Sequence, residues 1–141
     1  MLSVNPDRPV APLTVAVMRE VDVLMKELNL TYFVCGAMAR DILLQHVYGI
    51  ETGIATVDVD FGVAVEDWEQ FADIKARQIA TGRFEPAKNM AQRLYYKPSA
   101  ESRGYPLDII PFGGVEKPPK SIAWPPDMAE VMNVIGYEEA L

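Results

Sequence analysis

The sequence predicts one α/β (α+β) domain in which a short mixed sheet is flanked by helices. Half of the 141 residues are apolar, which is enough to build a hydrophobic core. Segments with the three-to-four-residue spacing of an amphipathic helix alternate with short β-branched or aromatic runs that are typical of strands. Two of the apolar runs, residues 55–66 and 105–112, carry aspartates in their interior.

The first regular element is predicted to be an amphipathic helix that follows an irregular, proline-containing lead-in over residues 1–12. Asn29 is expected to end this helix, and the run over residues 31–35 predicts a short buried strand that stops at Gly36. The apolar positions that define the helix recur three or four residues apart: Leu13, Val17, Val21, Leu24 and Leu28.

A second helix is predicted directly after Gly36, because residues 37–46 contain strong helix formers. The start of a helix offers free backbone N–H groups and the positive end of its dipole, and glycine lets the backbone approach an anion closely. This succession of strand, glycine and helix is typical of a phosphate site, although Gly36 could simply end the strand. A loop bracketed by Gly49 and Gly53 then leads into the next strand.

The strand predicted over residues 55–66 is the centre of the candidate site. Asp58 and Asp60 are two residues apart, so on a strand both carboxylates project from one face, about 7 Å apart along the chain. Two aspartates in a valine-rich run require protonation, a cation or a water-filled cleft. The alternative is an edge strand with a solvated polar face, because an apolar opposite face is supplied by Val57, Val59, Phe61 and Val63.

The second half of the chain predicts a further helix and a β-hairpin. Strands at 92–96 and 105–112 are joined by a polar turn, and the second of them places Asp108 among apolar residues. The alternative for Asp108 is a surface position before a turn. The preceding helix is predicted over about residues 67–80. The side chains on its inward face are expected to be those of Trp68, Phe71, Ile74 and Ile79.

The C-terminal segment over residues 117–141 begins with a proline-rich stretch. Residues 117–127 are therefore predicted to form a loop or an extended crossing segment rather than a helix or a central strand. The final residues resemble the opening of another element, which suggests a fragment of a longer protein. The predicted organisation is a lead-in at 1–12, a core at 13–116 and this C-terminal segment.

The charge of the chain is unevenly distributed. The net charge is −7, yet residues 73–103 carry seven basic and three acidic side chains. This balance argues against a general nucleic-acid coat protein and still permits a local basic groove. The single cysteine, Cys35, excludes an intrachain disulfide, and with no apolar leader the chain is predicted to be cytoplasmic. No apolar run approaches the roughly 20 residues of a membrane-spanning helix, so no membrane partner is expected.

Three carboxylates on two strands, beside a glycine turn, predict a site for a metal-bound triphosphate. Mg²⁺ or Mn²⁺ prefers oxygen ligands and open positions for phosphates and water. Two such ions about 3.5 to 4 Å apart would activate an attacking oxygen and stabilise the leaving pyrophosphate. Asp58 and Asp60 are predicted to bind the metals, and Asp108 to complete one site and help deprotonate the attacking hydroxyl.

The order of these motifs resembles that of the DNA polymerase β-like nucleotidyltransferases. That family has a strand, a glycine turn that opens a helix, an Asp-x-Asp strand and a third aspartate on a following strand. The matching segments are Val34–Ala37, Val57–Phe61 and Leu107–Ile110, within residues 30–112. Gly36–Leu44 is similar to the Gly-Gly-x-x-Arg-Asp-x-Leu-Leu segment of the tRNA nucleotidyltransferase and poly(A) polymerase branch. The whole most resembles bacterial AbiEii-type nucleotidyltransferases.

This resemblance implies a minimal polymerase-β-like nucleotidyltransferase core at 13–116, followed by a helical C-terminal region that begins within 117–141. It implies that Gly36, Ala37 and Arg40 contact an NTP. The implied reaction moves an NMP from the NTP to a hydroxyl of RNA (tRNA included), of a protein or of a small molecule. Membership of the AbiEii-type group would add a toxin role and an antitoxin partner.

Ala37 departs from the family pattern, which has serine or a second glycine at this position. A hydroxyl contact to the triphosphate is therefore missing, although the backbone N–H remains. This departure leaves a second interpretation, a non-catalytic nucleotide-binding regulatory module with a weakened phosphate turn. Arg40 likewise has an alternative role as a local surface pair with Asp41.

Overall fold

A five-stranded mixed sheet flanked by helices forms the centre of the computed structural model, which describes residues 3–52 and 57–141. The α-helices are α1 (Pro12–Glu27), α2 (Gly36–Asp41) and α3 (Trp68–Ala80), and α2 continues as a π-helical segment, Ile42–Val47. A 3₁₀ turn, Glu138–Ala140, lies near the C-terminus. The strands are β1 (Tyr32–Cys35), β2 (Val59–Val65), β3 (Phe84–Pro86), β4 (Arg93–Tyr96), β5 (Tyr105–Gly113), β6 (Ser121–Ala123) and β7 (Val131–Asn133).

The strand order in the sheet is β1-β2-β5-β4-β3. β2 and β5 run parallel, whereas β1 with β2, β4 with β5 and β3 with β4 are antiparallel. The predicted fold class, a short mixed sheet with flanking helices, is confirmed, and so is the hairpin formed by β4 and β5. The parallel neighbours β2 and β5 are connected through α3 and the β3–β4 pair.

Helices α1 and α3 pack together and against the sheet, and they bury the central apolar positions of their helical patterns. Val17, Val21 and Met25 of α1 and Ile74 of α3 are fully buried. Asp67 caps α3, because its side chain accepts a hydrogen bond from the backbone N–H of Gln70 at 2.7 Å. These helices shield the core on one side of the sheet.

The acidic side chains project from the sheet face opposite α1. The ring of Tyr32 packs on Phe61, and its hydroxyl donates to Asp22 of α1 at 2.7 Å, so Phe61 faces this helix. Asp60 precedes Phe61 in β2 and therefore points to the other face. On that face, Tyr137 from the C-terminal segment packs against the rings of Phe33 and Phe112.

Several details differ from the sequence prediction. Leu13, expected on the apolar face of the first helix, is exposed, and the neighbouring Thr14 is buried instead, with its hydroxyl bonded to Tyr105 at 2.9 Å. β3 was not predicted. Residues 117–127 include β6, which pairs with β7 in a separate two-stranded sheet. β2 begins at Val59, one residue after Asp58.

Part of the predicted lead-in to this strand lies outside the described residues. This applies to Gly53 of the glycine-bracketed loop and to the first two positions of the 55–66 run. Among the residues that the structure does describe, no helix combines the length and the apolar character needed to cross a membrane.

The packing of α3 on the sheet gives a direct stability test. Ile74→Ala is expected to lower the free energy of unfolding by about 2–5 kcal/mol, because it leaves a cavity at a side chain that is 0% exposed. Val23→Ala, at a position in α1 that is 57% exposed, should change it by less than about 0.5 kcal/mol. Chemical denaturation measures both values, and equal effects would contradict the described packing.

Candidate active site

Four polar or ionisable side chains lie in one row across the neighbouring strands β1, β2, β5 and β4. Cys35 in β1 is opposite Asp60 in β2, Asp60 is opposite Asp108 in β5, and Asp108 is opposite Arg93 in β4. Residues paired in this way across a sheet project from the same face. The strand register therefore places one thiol, two carboxylates and one guanidinium side by side.

The structure brings together the three aspartates that the sequence singled out. One carboxylate oxygen from each of Asp58, Asp60 and Asp108 lies within 4.8 Å of the other two, and all three residues are half-buried. The alternative of a solvated edge strand is wrong, because β2 lies between β1 and β5. The alternative of a surface aspartate before a turn is also wrong, because Asp108 lies within β5 with its side chain only 13% exposed.

Asp60 is the least satisfied of the three carboxylates. Its Oδ1 atom is buried and has no hydrogen-bond partner among the described residues. Loss of hydration, followed by repulsion from Asp108 and Asp58, raises the pKa of Asp60 to about 6, and Arg93 offsets part of this increase. A cation placed near Asp60 would relieve both effects.

Arg93 is a site residue that the sequence analysis did not identify. Its Nε donates to Oδ1 of Asp108 at 2.8 Å, and its Nη2 donates to Oδ2 of Asp108 at 3.2 Å and to Oδ2 of Asp58 at 3.5 Å. The hydrogen bonds and charge of Asp108, acting against desolvation, raise the pKa of Arg93 further above its ordinary value. The sequence signal that could have identified Arg93 was the predicted hairpin, in which an arginine on one strand can lie opposite the aspartate on the other.

Gly36 allows the start of α2 to approach the carboxylate of Asp60 closely. Its φ of +68° lies in the left-handed region, and a Cβ atom at this position would overlap Oδ2 of Asp60. The helix begins at Gly36 itself, one residue earlier than predicted, so the junction of β1 and α2 lies against the Asp60 carboxylate. Ala37, the next residue, is exposed.

Arg40 lies further along α2 and is engaged locally. Its Nη2 is 3.2 Å from Oδ1 of Asp41, and the side chains are 52% and 5% exposed respectively. The pairing with Asp41 expected in the alternative interpretation is present, but it is not a surface pair, because Asp41 is buried. The side chain of Arg40 is half exposed and remains accessible to a second partner.

Cys35 completes the row without contributing a reactive group. Its Sγ lies 3.9 Å from the hydroxyl of Tyr137, and burial is the main cause that raises the pKa of Cys35 to about 11. The thiol therefore stays protonated at neutral pH, and a thiolate nucleophile is not expected. Tyr137 brings the C-terminal segment into contact with this end of the row.

Comparison with solved structures shows that this chain is similar to part of two known proteins. A CCA-adding enzyme in complex with CTP is 22% identical, with a TM-score of 0.45 over 74% of this chain and 22% of that one. The Thermotoga maritima CCA-adding enzyme in complex with tRNA is 22% identical, with a TM-score of 0.44 over 72% of this chain. This chain thus spans about a fifth of the length of either enzyme (22%). No protein-family model and no curated protein matches the chain.

The close approach of Gly36 to Asp60 can be tested by substitution. Gly36→Ala should destabilise the fold by about 2–4 kcal/mol, because it adds steric overlap with a carboxylate to the strain of a positive φ. Gly82→Ala is the matched control, since its φ is +80° and its Cβ would meet no atom within 4 Å. Asp60→Ala should remove the excess cost of Gly36→Ala over Gly82→Ala, as measured by urea denaturation. Equal costs for the two glycine variants would exclude the contact.

The raised pKa of Asp60 predicts a specific pH dependence of stability in the absence of divalent cations. Because the folded-state pKa of about 6 exceeds the ordinary aspartate value of 3.8, the folded protein holds a proton that the unfolded chain releases within this window. Stability should therefore fall as the pH rises from about 4 through 6, relative to Asp60→Asn. Melting temperatures in EDTA measure this difference, and parallel profiles for the two proteins would contradict it.

Proposed function

We propose that this chain is a metal-dependent nucleotidyltransferase that moves an NMP from an NTP to a hydroxyl of an acceptor. The observation that carries the proposal is the convergence of Asp58, Asp60 and Asp108, with one carboxylate oxygen from each within 4.8 Å of the other two. The turn at Gly36 supports it, because it lies in contact with the same carboxylate cluster.

The donor set fits a divalent cation. Three half-buried carboxylates converge, and a buried oxygen of Asp60 lacks a hydrogen-bond partner among the described residues. Carboxylate oxygens with open positions for phosphates suit Mg²⁺ or Mn²⁺. Bound there, such a cation would offset the charge of a triphosphate and lower the pKa of an attacking hydroxyl. We therefore assign Asp58, Asp60 and Asp108 as the metal ligands.

The chemistry assigned to this chain's own residues is chiefly positioning and proton transfer. In the transfer, the acceptor oxygen forms a bond to the α-phosphorus while the bond from that phosphorus to the bridging oxygen breaks, and pyrophosphate leaves. Asp108 is proposed to accept the proton of the acceptor hydroxyl. Holding the reactants in line accounts for most of the rate enhancement expected in this class of reaction.

Gly36, Ala37 and Arg40 are proposed to contact the triphosphate. The helix that starts at Gly36 begins beside the Asp60 carboxylate, and the first backbone N–H groups of a helix are free to bind an anion. Ala37 supplies a backbone N–H without a hydroxyl, and the half-exposed guanidinium of Arg40 adds a positive charge one turn into the helix. These contacts would hold the nucleotide beside the carboxylates.

A non-catalytic nucleotide-binding regulatory module is the second candidate function. It is favoured by Arg93, which neutralises part of the acidic cluster, and by the missing hydroxyl at Ala37. An AbiEii-type toxin role, an antitoxin partner and a cytoplasmic location remain predictions. The same applies to the division of the chain into a lead-in at 1–12, a catalytic core at 13–116 and a C-terminal segment at 117–141 that begins a helical region.

Substitution of the carboxylates tests the proposed activity. Asp58→Ala and Asp60→Ala should each abolish the metal-dependent stabilisation by NTP and reduce label transfer from an α-labelled NTP by at least about 100-fold. Asp73→Ala is the control, because Asp73 is an exposed residue of α3 that pairs with Arg77 at 2.9 Å. The acceptors to be offered are cellular RNA, protein and small-molecule fractions, each with Mg²⁺ or Mn²⁺.

Two outcomes would contradict the enzyme assignment. If the native chain binds NTP with Mg²⁺ but labels no fraction, the regulatory module is the better description. If Asp60→Ala keeps the transfer rate of the native chain, the three carboxylates are not its active site.

A further inference from the structure

Arg93 makes three hydrogen bonds to the acidic cluster formed by Asp58, Asp60 and Asp108. It donates to both oxygens of Asp108, at 2.8 and 3.2 Å, and to one oxygen of Asp58, at 3.5 Å. Its side chain is 22% exposed, so these contacts are largely shielded from water. A partly buried, bidentate pair of this kind is stronger than an exposed one.

Arg93 bridges two of the three carboxylates with its positive charge. Asp108 lies in β5 and Asp58 immediately precedes β2, and Arg93 contacts both of them from β4. Asp60 receives no hydrogen bond from Arg93, and its Oδ1 has no partner among the residues that the structure describes. The guanidinium therefore bonds directly to Asp58 and Asp108, whereas it offsets the charge of Asp60 only in part and without a hydrogen bond.

We propose that Arg93 is an internal counter-cation that competes with the divalent cation for Asp58 and Asp108. Without the metal, Arg93 holds the two carboxylates together against their mutual repulsion. When the metal binds, Arg93 gives up at least its contact with Asp108. This inference rests on the assignment of the three aspartates as metal ligands and adds a positioning residue that tunes the affinity of that site.

Competition follows from charge and from the number of available oxygens. Oxygens that accept hydrogen bonds from a guanidinium have fewer lone pairs directed at a metal, and the positive charge of Arg93 repels a second cation in a half-buried site. Because arginine stays protonated at any physiological pH, only movement of the side chain removes this effect. Metal binding must therefore work against the Arg93 contacts.

The test is the affinity of the full chain for Mn²⁺, measured by isothermal titration calorimetry in the absence of nucleotide. Arg93→Gln should bind Mn²⁺ about 5- to 150-fold more tightly than the native chain, the range usual for coupled sites. In EDTA the same variant should melt at a lower temperature, and saturating Mn²⁺ should remove most of that deficit.

Arg83→Gln is the matched control. Arg83 makes a similar two-point contact with a carboxylate, that of Glu20 in α1, at 2.7 and 2.9 Å. Its loss should lower stability without changing the Mn²⁺ affinity. If Arg93→Gln does not fold in EDTA, Arg93→Lys carries the test, because an ammonium group cannot make the bidentate contact and should still give tighter binding than the native chain.

The outcomes separate this inference from the proposed function. Native or weaker Mn²⁺ affinity in the folded Arg93 variant overturns the competition, even if label transfer from NTP is observed. Absence of Mn²⁺ binding in both the native chain and the Arg93 variants removes the metal site itself, and with it both proposals.

Discussion

The parallel pairing of β2 with β5 is the constraint on which the rest of the candidate site depends. It places Asp60 opposite Asp108, and the antiparallel pairing of β5 with β4 then places Arg93 opposite Asp108. A shift of one residue in either register would move one of these side chains to the face covered by α1. The pairing of strands thus brings together site residues that are far apart in sequence.

This arrangement brings three carboxylates together, and their mutual repulsion lowers the stability of the fold. Asp60 is half-buried with a raised pKa of about 6, next to two further carboxylates and to a glycine turn that a side chain would obstruct. Arg93 offsets part of the repulsion. Local features that disfavour stability in this way are typical of functional sites, where a ligand supplies the missing interaction.

Elements with strong local patterns were predictable from the sequence, and so were the β4–β5 hairpin and the meeting of the three aspartates, whereas the contact of Arg93 with Asp108 was not. The helical spacing of apolar residues identified α1 and α3, the alternation of apolar residues with Asp58 and Asp60 identified β2, and an apolar run that contains Asp108 identified β5. Arg93 was missed because an alternating pattern shows which strands form but not which residues face one another across them. β3, with only three residues, Phe84–Pro86, carries too little pattern to be recognised, and its position depends on pairing with β4.

The most direct test of a shared metal site is a crystal structure of the full chain grown with Mn²⁺ and recorded at a wavelength where manganese scatters anomalously. We expect an anomalous peak within coordination distance of carboxylate oxygens from Asp58, Asp60 and Asp108, with the Arg93 guanidinium displaced from Asp108. A map with no peak between these aspartates, and with Arg93 still bridging Asp58 and Asp108 at a saturating Mn²⁺ concentration, would contradict it.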